Sequence, residues 1–127
     1  MVKKSRVINS AQNEGVCYIK EFNVGESERP QKYWVPGEVL GWSNISVEIN
    51  CNGATGTSGD VEIMETNVSS GVQNRCYTTT EVLTIAENSK GYVKLTNILS
   101  NYIALDFSGV TFGTSGTIEI IVTGKRG

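Results

Sequence analysis

The chain has 127 residues, 39% of them apolar, with 11 basic against 13 acidic side chains and a formal net charge of −2. That length fits one domain with a core that needs no metal or disulfide support, and the charge balance argues against a general nucleic-acid binder, which is normally basic. No apolar run approaches the roughly 18 residues of a membrane helix, so no membrane contact is expected.

Residues 1 to 14 are polar apart from Val7 and Ile8 and read as an N-terminal arm: an extended tail, an edge strand or a mobile segment. The basic start is followed by no apolar segment, so no secretory leader is expected. Residues 15 to 127 read as a single β-sandwich domain. Its first strand runs from Gly15 to Val24, with Tyr18 and Phe22 expected inward. Gly25 to Gly37 reads as a long loop that brings Arg29, Lys32, Tyr33 and Trp34 together. Aromatic and basic residues on a loop suit either a lid over one end of a sandwich or a binding surface for protein or glycan. Trp42, beside Gly41 at a strand start, reads as a core plug or, if exposed, as a second aromatic platform for a glycan.

Ile45, Val47 and Ile49 alternate with Ser46, Glu48 and Asn50, the period of a half-buried strand. With Val61 and Ile63 after an Asn52-Gly53 turn and a polar loop, the unit 45 to 65 reads as a hairpin. Weak strand signals surround Cys76 and Tyr77, and a stronger one spans Glu81 to Ala86. After a polar turn at 87 to 91, Val93 and Leu95 share one face and Tyr92 and Lys94 the other. Finally Ile103, Leu105 and Phe107, then Ile118, Ile120 and Val122, alternate with Tyr102, Ala104, Asp106, Glu119 and Ile121. These last two strands read as partners or neighbours at the end of one sheet. No segment carries a helical stripe. The expectation is an all-β, two-sheet β-sandwich, jelly-roll or Greek-key like, with about eight strands.

A short internal match links G-T-S-G-D-V-E-I at 56 to 63 with G-T-S-G-T-I-E-I at 113 to 120. It reads as shared local geometry, a flexible loop feeding a strand, or as a duplicated half-domain.

Catalytic chemistry finds little footing. Histidine is absent, which removes the commonest general base and a common zinc ligand. Cys17, Cys51 and Cys76 form no Cys-x-x-Cys element and read as small apolar side chains, with one disulfide left open if two face each other. Asp60, Glu62, Glu65, Asp106 and Glu119 are the candidate acids, but their strand phase points most of them to water. Asp106 is the most shielded by phase. The glycine-rich loops lack a phosphate-cradle pattern, and the 52 to 60 loop has too few carboxylates for calcium. No enzyme activity, cofactor or metal is expected. The basic termini, Lys3, Lys4, Arg6, Lys125 and Arg126, read as solvated ends or as assembly contacts.

The stretch Y-V-K-L-T-N-I-L-S-N-Y-I-A-L-D-F-S-G-V, followed by G-T-S-G-T-I-E-I-I-V-T-G-K, resembles small β-sandwich structural proteins of tailed bacteriophages over the C-terminal third. The resemblance implies a non-enzymatic virion component, a capsid decoration or a tail or fibre part. It further implies a homo-oligomer, a trimer above all, contacting the major capsid protein, made in the host cytoplasm and found in the virion. The alternative from the residues is a carbohydrate-binding or adhesion module using exposed aromatic side chains.

Overall fold

A computed structural model describes residues 4–9, 15–25, 31–35, 44–66, 78–96 and 102–125. Among these residues ten strands follow in order: β1 Lys4–Asn9, β2 Gly15–Asn23, β3 Lys32–Trp34, β4 Asn44–Asn52, β5 Ser58–Thr66, β6 Thr78–Ala86, β7 Lys90–Thr96, β8 Tyr102–Asp106, β9 Val110–Thr111 and β10 Thr117–Lys125. All pairings are antiparallel. The first sheet has the order β1-β2-β10-β4-β7, and the second has β3-β8-β5-β6 with β9 beside β5.

Setting β1 and the two-residue β9 aside, the sheets read 2-10-4-7 and 3-8-5-6. The chain then alternates sheets in pairs: β2 to β3, β4 to β5, β6 to β7 and β8 to β10. That is jelly-roll wrapping, and it accounts for two corrections to the sequence reading. The segment 45 to 65 is not a hairpin, because β4 and β5 lie in opposite sheets. Likewise β8 and β10 are not sheet partners; each is central in its own sheet. Alternation tells which side chains face the interior, and two strands on opposite walls of one core give the same pattern as two strands paired side by side. A third correction concerns the expected 25 to 37 loop, which contains β3. The N-terminal segment 4–9 adds to its own sheet as an edge strand, pairing Lys4 through Asn9 with Glu21 through Val16.

The core follows the alternation. Ile45, Val47, Ile49, Val61, Ile63, Ile103, Leu105, Ile118, Ile120 and Val122 are all buried. Phe22 is buried and Tyr18 packs against the core, as the strand phase predicts. At one end Phe22, Tyr33, Phe107 and Phe112 form an aromatic cluster, with ring centroids 5.7–6.2 Å apart. These spacings suit edge-to-face and offset packing.

The two Gly-Thr-Ser-Gly copies lead into strands of opposite sheets, β5 and β10, and they meet. Thr57 of the first copy is buried, and its hydroxyl accepts the Gly113 N–H of the second at 2.9 Å. The last glycine of each copy has positive φ, 139° at Gly59 and 94° at Gly116. Both loops turn sharply into a strand where a second backbone lies close, which is the demand glycine meets.

Candidate functional site

The predicted aromatic and basic residues divide between the two sides of β3. Tyr33 turns inward to Phe22 and Phe107, with the Lys20 Nζ 5.7 Å from its ring centroid, within cation–π reach. Lys32 and Trp34 have the opposite phase and lie on the outer face of the second sheet. There Trp34 meets Tyr102 edge-on at 6.3 Å, and Ala104, which stands between Trp34 and Met64 in register, is fully covered. Lys32 stands opposite Asp106, itself opposite Glu62. Arg29 and Trp42 lie outside the described residues.

Of the basic residues expected as assembly contacts, Lys4, Arg6 and Lys125 lie in described strands. Lys4 stands opposite Glu21 at one end of β2, and Lys125 opposite Gly15 at the other. Six residues of strand, about 20 Å, separate those levels. Arg6 lies in β1 between them, and Lys3 and Arg126 are outside the described residues.

A groove of about 520 Å³ opens on the outer face of the first sheet. That falls within the usual range of small-molecule sites, about 300–1,000 Å³. Its walls come from β4 and β7, whose register places Glu48 opposite Tyr92, Ser46 opposite Lys94 and Asn44 opposite Thr96. Thr123 of β10 adds a hydroxyl beside Ser46. Tyr92 is 54% exposed, the most open large apolar side chain among the described residues. The Asn50 Nδ2 donates to Glu48 Oε2 at 2.6 Å and to Glu119 Oε1 at 3.3 Å, so one amide holds two carboxylates on this face.

The groove therefore joins an open aromatic ring to a carboxylate, an ammonium group, hydroxyls and an amide. Sequence phase correctly places Tyr92 and Lys94 on one side of their strand. What it misses is the partner: Glu48 and Tyr92 are 44 positions apart (92 minus 48), and only the β4–β7 register brings them together.

The candidate acids take structural parts. Asp106 is half-buried, and its carboxylate accepts the Ser108 N–H at 2.9 Å, closing the turn between β8 and β9. Glu62 accepts from the Thr79 hydroxyl at 2.8 Å and Asp60 from the Thr84 hydroxyl at 2.7 Å. Among the described residues no group of three or more Cys, Asp or Glu side chains is placed to hold a metal ion. Cys51 is a buried free thiol whose pKa is raised by desolvation, against hydrogen bonds to Ser89 and Ala86 that lower it. Burial of this kind makes a thiol inert rather than nucleophilic. Cys17 is also a free thiol, half-buried, and Cys76 lies outside the described residues. No helix among the described residues is long and apolar enough to cross a membrane.

No family model matches the chain, and no curated protein matches it. Solved structures give weak likenesses to β-sandwich proteins. The CBM22-1–GH10 modules of Clostridium thermocellum xylanase 10B, complexed with xylohexaose, align at a TM-score of 0.41 and 8% identity over 97% of this chain. The chain spans 25% of that xylanase chain. The disulfide-linked pili of Bacillus endospore appendages align at 0.41 and 10%, over 98% of this chain and 92% of theirs. A black queen cell virus structure aligns at 0.43 and 12%, over 98% and 69%. The likenesses reach a viral and a pilus protein and are not specific to tailed phages. They are too distant to bear on function, because one sandwich architecture serves many unrelated activities.

Proposed function

We propose that this chain is a carbohydrate-binding or adhesion module whose ligand lies in the groove between β4 and β7. The observation that carries the reading is Tyr92, an aromatic ring left open to solvent beside Glu48 and Lys94. A pyranose has an apolar face of C–H groups and a rim of hydroxyls. An exposed ring receives the first, and the carboxylate, ammonium, amide and hydroxyl groups around it receive the second. Because both charge signs line the groove, a neutral sugar fits it better than a polyanion.

Calorimetric titration with neutral oligosaccharides tests this. Tyr92→Ala weakens binding at least tenfold, about 1.4 kcal/mol, while the unfolding free energy changes by less than about 0.5 kcal/mol, because the ring is exposed on an edge strand. Equal affinity for the variant and the parent chain would contradict the reading.

A second reading, a structural part of a phage particle, draws on β1. This strand ends the first sheet and carries Lys4 and Arg6, and an edge strand is a surface that other chains extend. Under this reading, deleting residues 1 to 14 converts an oligomer to a folded monomer by light scattering. A monomeric parent chain would exclude homo-oligomeric assembly.

A further inference from the structure

We propose that the groove holds its sugar chain lengthwise, parallel to β4 and β7, with one ring seated on Tyr92 and the far end at Asn44 and Thr96. This rests on the carbohydrate reading above and adds the direction and length of the bound segment.

Direction comes from the lining. Its three levels, Glu48 with Tyr92, Ser46 with Lys94 and Asn44 with Thr96, are successive outward-facing pairs of a single ladder. Across the strands, among the described residues, the lining reaches only Thr123, at the middle level. The groove is therefore longer along the strands than across them. From Glu48 to Asn44 is four residues, about 13 Å of strand, which suits roughly two or three linked pyranose rings.

Polarity comes from the chemistry of the levels. The first has the aromatic platform, together with the carboxylate that Asn50 orients at 2.6 Å. The middle has the Lys94 ammonium and the Ser46 and Thr123 hydroxyls. Among the described residues the last has an amide and a hydroxyl, from Asn44 and Thr96. Most of the affinity then belongs to the ring on Tyr92, and later rings add hydrogen bonds one level at a time. Asn50 acts as a positioning residue through Glu48.

The test uses the intact chain and ladders of one to six units of cello-, xylo-, manno- and chito-oligosaccharides. NMR titration measures the weak short members and calorimetry the longer ones. For the ladder that binds, affinity rises at least about tenfold from one unit to three, then changes less than about twofold to six. The Asn44→Ala/Thr96→Ala variant loses about fivefold for the trimer, as one net hydrogen bond implies, and nothing for the single sugar. Affinity that is flat with length, or that still climbs through six units, overturns the lengthwise placement and leaves the carbohydrate reading standing. So does an equal loss for monomer and trimer in the variant. Failure of every ladder to bind removes both proposals.

Discussion

Gly116→Ala should bring the chain close to unfolding, at a cost of about 3 kcal/mol or more. Two effects act at this position. Its φ of 94° is a conformation that side chains rarely adopt. An added methyl would also collide with the backbone nitrogen of Ala54, and would lie 2.7 Å from both the Ala54 Cα and the Asn52 carbonyl oxygen. Backbone atoms cannot swing aside as a lysine tip can. The contact lies where the loop before β5 meets the loop before β10, and the Gly116 carbonyl also accepts the Val24 N–H at 2.9 Å beyond β2. The ends of three strands are tied there. Urea denaturation reads the effect as a large drop in midpoint. Ser115→Ala is the control, because Ser115 is exposed in the same loop and should move stability by less than about 0.5 kcal/mol.

Phe107→Ala should cost about 3–5 kcal/mol, the range for removing a buried aromatic ring. Phe107 is among the largest fully buried side chains. Its ring meets Tyr33 at 5.8 Å, Phe22 at 6.1 Å and Phe112 at 6.2 Å, so truncation leaves a void bounded by three stiff rings that cannot collapse into it easily. Its backbone is fixed as well: the N–H donates to the Gln31 carbonyl at 2.6 Å, and the carbonyl accepts from Val110 at 2.9 Å. Phe107→Leu keeps much of the volume and should cost about 1–2 kcal/mol. Thermal unfolding with calorimetric detection separates the two variants. A loss under 1 kcal/mol for the alanine variant would mean, as an order of magnitude, that the cluster is not the packed centre of that end.

The two-sheet class and the identity of the core are legible in the sequence, because Ile45, Val47 and Ile49 alternate with polar neighbours, Ile103, Leu105 and Phe107 alternate with Tyr102, Ala104 and Asp106, and all six turn inward. Strand partnership was not legible. Period two fixes which face of a strand is buried and leaves open which wall of the core the strand belongs to, so β8 and β10 read as neighbours when they lie in opposite sheets. The three-residue β3 carries no strand signal, because Lys32, Tyr33 and Trp34 are too few to display a period. The same shortness hid the division of the predicted binding residues, with Tyr33 turned to the core and Trp34 to the outer face. The groove was legible only in halves. Each strand shows its polar side, but the meeting of Glu48 with Tyr92 is a property of long-range register. The two Gly-Thr-Ser-Gly loops meet at their first glycines, Gly56 and Gly113, whereas Gly59 is crowded by the 109–110 turn and Gly116 by Ala54 and Asn52, so the repeat places glycines at close backbone approaches of more than one kind.

The most direct measurement is amide chemical-shift mapping of the folded chain with the trisaccharide of whichever neutral ladder binds. A ligand in the proposed groove perturbs Ser46, Glu48, Tyr92 and Lys94 most strongly and leaves Trp34 and Tyr102 unmoved. Shifts centred on Trp34 and Tyr102, across the sandwich on the other sheet, would contradict it.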